Sequence, residues 1–312
     1  MKATIDTQRE QLLQSFPHLW PLSTRMSRNV ASIASAKELV TIVITCKNKS
    51  STLPSVLQRI AEQTRRPDMV VLADDASTDR SVGMFIDLCR QHKLPWRLAA
   101  LPMGGNYRLN TIRNKGFQRS LDGLVMLIDG DLVLSNVYVE RHLELHRLHA
   151  YPIATMGPRF EYATDERTGP INFMWGCGPE QQGVGPDGFL PAWQRAHGAM
   201  CVTKSVWLSL GGFDESYNGK YGIDDIDFLF RLFLAGVYPI SNFEAFCIHI
   251  PHETGFEGGG RDPRGNIGYF CEKYGVPQTI LWDPVDYSPL QMRHKNWSIE
   301  FEQFARRHGL SA

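Results

Sequence analysis

A chain of 312 residues with 43% apolar side chains can bury a substantial core, as one large domain or two fused lobes, and its 33 basic and 33 acidic residues cancel. That balance excludes a nucleic-acid footprint or a polybasic membrane surface at the level of composition, so any bound anion has to be held locally. The cysteines at 46, 89, 177, 201, 247 and 271 form no CxxC pair and no short-spaced cluster with histidine, which argues against structural zinc and a disulfide scaffold, and no stretch approaches the ~18 apolar residues of a membrane span.

Residues 1–38 are polar with helix-like apolar spacing broken by two prolines, and predict an appended helical segment packing on the main domain or on a partner. "LVTIVIT" at 39–45 is a β-branched run suited to a buried strand. Residues 53–67 follow with apolar positions at 53, 56, 57 and 60 and a proline stop, a helix. The same alternation predicts strands over 68–79, 96–101 and 123–131, with helices over 80–93 and 105–121 between them. Such an order gives a parallel sheet covered by helices, with ligands beyond the carboxyl ends of the strands. The acidic strand ends at 74–79 and 129–131 should therefore share one crevice. Residues 158–195, rich in Gly, Pro and aromatic side chains, predict a mobile loop in which Trp175 and Trp193 stack on a ligand or pack. Beyond it come a strand and short helix within 198–215, a helix over 224–236 closed by Gly236, a strand over 238–250, and a terminal helix carrying Trp297 and Phe301.

Two acidic clusters carry the chemistry. In extended backbone residues i and i+2 point the same way, so Asp129 and Asp131 can present two hard oxygen donors to a divalent cation, with Gly130 removing bulk between them. A solvated Asp-Gly turn is the plainer reading. In "YGIDDIDF", Asp224, Asp225 and Asp227 exceed what capping a helix start requires. Their mutual repulsion raises the proton affinity of one and suits it to be a general base.

The ordered set "VTIVITCKNKSSTLPSVLQRIAEQT", "VVLADDASTD", "IRNKGFQRSLDGLVMLIDGD" and "GGFDESYNGKYGIDDIDFLFRLFLAG" resembles the GT-A nucleotide-sugar glycosyltransferases, in particular the inverting family-2 group, over residues 39–250. The resemblance implies an α/β GT-A fold, a mostly parallel sheet flanked by helices with N- and C-terminal helical extensions. Its parts would be an extension (1–38), a transferase domain (39–282) with a nucleotide-binding half (39–131) and an acceptor-binding half (132–282), and a tail (283–312).

It implies that Thr45 contacts the nucleotide through its backbone, Asp75 bonds the base, and Arg113 lies near the diphosphate. Asp131 then holds Mn2+ or Mg2+, with Asp129 on the metal, the ribose or the sugar, and His249 or His252 as a late third ligand. Asp225 is the base and Asp224 orients it or meets the acceptor, while Asp227 only caps. Gly211 and Gly212 permit positive φ, Phe213 packs in the core, and Asp214 and Glu215 meet acceptor hydroxyls, while by its own composition the glycine run beside Arg261 and Arg264 suits either a loop that closes over the diphosphate or a flexible solvated one.

The implied reaction moves a sugar from a nucleoside-diphosphate donor, UDP-linked, to a hydroxyl of a glycan, lipid, peptide or small molecule, in the cytoplasm or at the inner membrane face. Alternatives are a retaining transferase of the N-acetylgalactosaminyltransferase type, a sugar-nucleotide pyrophosphorylase and a non-catalytic carbohydrate-binding protein. A pyrophosphorylase would carry a Gly-rich loop after the first strand, where this chain has "CKNKSS"; "GGNYRL" at 104–109 comes too late.

Overall fold

In the computed structural model, which describes residues 2–31, 39–104, 107–157, 159–162, 171–175, 199–242, 244–250 and 262–281, the N-terminal stretch forms two helices, α1 (Lys2–Ser15) and α2 (Trp20–Ala31). They part at Phe16, ahead of a 3-10 turn opened by Pro17, whose ring cannot continue a helix. Both dock on the main body. The Ser23 hydroxyl donates to the Leu234 carbonyl at 2.7 Å, and His18 Nε2 bonds the Tyr274 carbonyl at 2.8 Å.

From Val40 the expected alternation appears: β1 (Val40–Cys46), α3 (Leu53–Ala61), β2 (Met69–Asp74), α4 (Ser81–Gln91), β3 (Trp96–Ala100), α5 (Leu109–Arg119) and β4 (Leu124–Asp129). Strand β1 pairs in parallel with β2 and β4, in a register that sets Cys46 beside Asp74 and Thr45 beside Asp129. All of β1 is buried because both faces are covered. Val43, Val71 and Leu127 face the core that includes Ile112 and Phe117 of α5, whereas Ile42, Ile44, Val70 and Leu72 face α3 and α4. Helix α5 lies unusually close to the sheet. A Cβ on Gly116 would sit 2.4 Å from Val43 Cγ1 and 3.1 Å from Ala73 Cβ, so only glycine allows that seat.

After β4 come β5 (Leu132–Leu134), α6 (Tyr138–Leu148), β6 (Ile153–Met156), β7 (Arg159–Tyr162), β8 (Ile171–Trp175), β9 (Met200–Thr203), α7 (Lys204–Ser209), α8 (Asp224–Leu234), β10 (Tyr238–Ser241), β11 (Cys247–His249) and α9 (Arg264–Tyr274). The main sheet has the order β10-β6-β9-β4-β1-β2-β3, with β9 antiparallel to both neighbours, and a smaller sheet has the order β5-β11-β7-β8.

Two expectations change. The region 158–195 is not all loop: β7 and β8 pair antiparallel inside it, formed by the β-favouring "RFEY" and "INFMW" between the Gly- and Pro-rich stretches. Residues 238–250 are not one strand but two, in different sheets, separated by a turn in which the Ala245 amide bonds the Asn242 carbonyl. Helix α8 ends at Leu234, and Gly236, at φ +75°, closes it as expected. Trp193, Trp297 and Phe301 lie outside the described residues.

Gly116→Val should lower the free energy of unfolding by about 1–3 kcal/mol, since the added methyls must push α5 off β1. Gly83, inside α4 with nothing within 4 Å of a would-be Cβ, is the contrast. Gly83→Ala should stabilise by up to about 1 kcal/mol, both effects being read from urea melts.

Candidate active site

Parallel pairing brings the carboxyl ends of β1, β2 and β4 to one edge of the sheet, and Thr45, Asp75 and Asp129 arrive there together. Asp75 follows β2 with its amide bonded to the Cys46 carbonyl at 2.8 Å. Arg108 holds its buried carboxylate at both oxygens: Nε and Nη2 reach Oδ1 at 2.8 and 2.7 Å, and the backbone N–H reaches Oδ2 at 3.1 Å. Lys47 Nζ stands 3.7 Å from Oδ2. The neighbouring acids close turns. Asp74 accepts from the Ser77 amide at 2.9 Å, and Asp79 from the amides of Ser81 and Ser50 at 2.9 and 3.0 Å. Against the penalty of burial, bonds from Ser81 and Ser50 hold the Asp79 carboxyl at about 2.

Asp129 and Asp131 take different hydrogen-bond partners. Asp129 accepts the Thr45 hydroxyl across the β1/β4 ladder at 2.6 Å. Burial raises its pKa, while Arg113 opposes that rise and Asp131 adds to it. At Asp131, Lys49 Nζ lies 2.6 Å and His249 Nε2 3.7 Å from the same oxygen, Oδ2. Backbone pairing delivers the histidine: β11 runs antiparallel to β5 with His249 opposite Leu132, and the Ile250 amide donates to the Asp131 carbonyl at 2.9 Å. Gly130 serves the packing of the loop after β1, because a Cβ there would sit 3.0 Å from the Thr45 carbonyl oxygen and 3.2 Å from Lys49 Cγ.

Two ligands bound at about 2.1 Å to one divalent cation stand about 3.0 Å apart when adjacent and about 4.2 Å apart when opposite. The 3.7 Å between Asp131 Oδ2 and His249 Nε2 falls within that span, and a carboxylate with an imidazole suits Mn2+. The pair fits such an ion. Among the described residues no cluster of three or more His, Cys, Asp or Glu side chains could hold a metal. His252 lies outside the described residues, as do the glycine run and Arg261; Arg264 is exposed and paired with Asp262 at 2.7 Å.

The second acidic cluster opens α8. Gly222 and Ile223 both take left-handed φ, +77° and +68°, and for a β-branched residue that geometry costs about 1–3 kcal/mol. The strained turn leads straight into Asp224 and Asp225. Asp224 is buried and ion-paired with Arg113 Nη1 of α5, itself 3% exposed, so Arg113 is not a solvated helix-face arginine. Burial works against the Arg113 charge, and Asp224, Asp129 and Asp225 together more than restore it. Half-buried Asp225 has its pKa raised to about 6, first by burial and then by the charge of Asp224, against the pull of Arg113. Tyr107, at φ +40°, belongs to the same group: burial and then Asp224 raise its phenol's pKa.

Asp227 is not merely a cap. It is fully buried and accepts from Tyr217 (3.2 Å), Tyr274 (2.8 Å), Lys273 (2.6 Å) and Arg231 Nε (2.8 Å), tying α8 to α9. The acids expected at an acceptor are engaged internally as well. Asp214 takes Lys273 at 2.7 Å, Tyr269 at 3.0 Å and the Ser216 amide at 2.9 Å; these offset its burial and hold it at about 2. Glu215 takes Asn114 and Thr111 at 2.9 and 2.6 Å. Gly211 and Gly212 have the expected positive φ, +76° and +74°, and Phe213 is buried. Arg108, Lys49 and Tyr107 escape sequence reading: each is an ordinary residue in a loop, and only the fold sets it beside an acid.

Residues 41–192 match the family model described as Glycosyl transferase family 2. Validoxylamine A glucosyltransferase of Streptomyces hygroscopicus subsp. limoneus is 23% identical over 293 residues, covering 85% of this chain and 63% of that protein. The chain thus spans about two thirds, 63%, of the length of this curated relative. The fold is that of S. aureus TarS 1-349 in complex with UDP-GlcNAc, with a TM-score of 0.59, 12% identity and coverage of 83% of this chain and 78% of that one. GalNAc-T7 with UDP, GalNAc and Mn2+ gives a TM-score of 0.57 and 14% identity over 89% of this chain and 59% of that one. At such identities the likeness is one of fold, the GT-A arrangement of a mostly parallel sheet between helices.

Arg113→Met should destabilise the protein by about 3–5 kcal/mol in chemical unfolding, because Asp224 is then buried without its partner. Replacing both, Arg113→Met with Asp224→Leu, should recover much of that loss.

Proposed function

Because residues 41–192 match the family model described as Glycosyl transferase family 2, we propose that the protein transfers a sugar from a UDP-sugar to an acceptor hydroxyl with inversion, Asp225 acting as the base. The observation that carries this reading is the half-buried carboxyl of Asp225 at the opening of α8, beside the buried Asp224–Arg113 ion pair, where burial and the charge of Asp224 raise its pKa to about 6. A base poised just below neutral pH is ionised at working pH and still binds a proton well enough to take one.

Asp75 and Arg108 flank the place of the base at the ends of β1 and β2, the carboxylate accepting the imide N–H and the guanidinium supplying donors. The uridine nucleotides named with TarS and GalNAc-T7 support that choice. Asp129, fixed by Thr45 through Oδ1, keeps its second oxygen for the ribose or the sugar. Asp131 and His249 would hold a divalent cation, which supplies charge compensation to the departing diphosphate.

Asp225 removes the proton of the acceptor hydroxyl as its oxygen attacks the anomeric carbon and the bond to the diphosphate oxygen breaks. Attack from the opposite face inverts the centre. Asp224, held by Arg113, fixes the first turn of α8 and with it the direction of Asp225.

A panel of UDP-sugars incubated with Mn2+, Mg2+ or EDTA should show UDP release from a preferred donor. No release from any donor, with or without acceptor, would mean a binding protein, and an anomeric NMR signal with retained configuration would remove the inverting displacement. Asp225→Asn should lower kcat by about 10²–10⁴ while leaving UDP-sugar affinity in place.

In the wild type, kcat/KM should rise tenfold per pH unit below about 6 and level off above it, since Asp225 must lose its proton to act. Asp225→Asn should abolish that limb.

A further inference from the structure

The loop between β1 and α3 is pinned amide by amide to the loop between β2 and α4. Asn48 N–H donates to Ser77 Oγ at 2.9 Å, Lys49 N–H to Ser81 Oγ at 2.7 Å, and Ser50 N–H to Asp79 Oδ2 at 3.0 Å. Asn48 takes the left-handed φ of +54° that asparagine tolerates, and the Thr52 hydroxyl donates to the Gly130 carbonyl at 2.6 Å. Lys49 is therefore not a wandering surface lysine. Its side chain is 15% exposed, and its ammonium rests 2.6 Å from Asp131 Oδ2, the oxygen that also faces His249 Nε2.

An ammonium at contact distance and a divalent cation compete for that oxygen, because in a partly buried site their mutual repulsion weakens the hold of each. We propose that Lys49 is the resident counter-cation of Asp131 and that a divalent cation has to displace it, so that Lys49 sets the cation affinity of the nucleotide-free site. The inference rests on the reading of Asp131 and His249 as the cation-facing pair. An ion pair that must break before binding lowers apparent affinity by the population it withholds. In the nucleotide-free chain Lys49 keeps Asp131 charge-compensated.

The test is a Mn2+ titration of the nucleotide-free full chain, followed by the loss of the free Mn2+ EPR signal. Lys49→Met should bind Mn2+ about tenfold more tightly than wild type. Lys47→Met, which removes the same charge two residues away, should change affinity less than about twofold. Equal tightening in both variants, or no tightening in Lys49→Met, overturns the proposal.

If Lys49→Met does not fold, Lys49→Gln carries the same expectation. A crystal structure of the Mn2+-loaded wild type provides a measurement free of mutation. Lys49 Nζ should have left Asp131 Oδ2, and a structure with both cations on that oxygen is contrary evidence. Absence of Mn2+ binding to every one of these proteins also defeats the proposal, whereas sugar transfer persisting in EDTA would leave the reading of the reaction standing.

Discussion

Arg113 is a cation with almost no water around it, and the two walls of the crevice meet on it. Asp224 pairs with it directly, and the charges of Asp129 and Asp225 act on it from β4 and from α8. Carboxylates gathered in a partly buried site repel one another, and the charge of Arg113 offsets that repulsion. The seat of that cation is set by packing. Gly116, one turn further along α5, lets the helix lie flush on β1 and β2. Asn114 beside it clamps the turn after α7, donating to the Phe213 carbonyl at 2.9 Å and accepting the Phe213 amide at 2.8 Å. Adjacent residues of one helix thus hold Asp224 and the turn after α7.

The smaller sheet solves a different problem. Asp131 lies just past the main sheet, and β5 begins at the next residue, so whatever pairs with β5 is carried to the acid. β11 does so, and a histidine 118 positions downstream arrives by strand register rather than by a long flexible reach. The same pairing explains why residues 238–250 split: β10 is needed at the edge of the main sheet and β11 at the acid.

The β-α alternation through β4 was legible because each element writes its own period: buried β-branched runs for strands, and positions 53, 56, 57 and 60 for the α3 stripe. The acids of the site were legible by type and by order along the chain. Their partners were not. Arg108 stands 33 residues from Asp75 and Lys49 82 from Asp131, and no local pattern distinguishes them from solvated basic residues. Asp227 was misjudged for the same reason. Its position in the first turn of a helix is local and suggests a cap, while Lys273 and Tyr274, which bury it, are supplied by α9. The strands β7 and β8 were hidden by the glycines and prolines around them, which signal turns whether or not strands lie between.

Helix α8 carries Asp224 and Asp225 at its first turn, and its last turn is finished by a distant part of the chain. The Leu234 carbonyl, left unpaired by the end of the helix, accepts the Ser23 hydroxyl at 2.7 Å and the Ser27 hydroxyl at 3.4 Å. The first of these contacts spans 211 residues, and the His18 bond to Tyr274 spans 256. Contacts so far apart in sequence close late in folding, after the loop entropy of the whole intervening chain has been overcome. Helix α2 and the turn before it therefore gain these bonds only when α8 and α9 are in place, and the acid-bearing helix acquires its complete hydrogen bonding only when segments 211 residues apart meet.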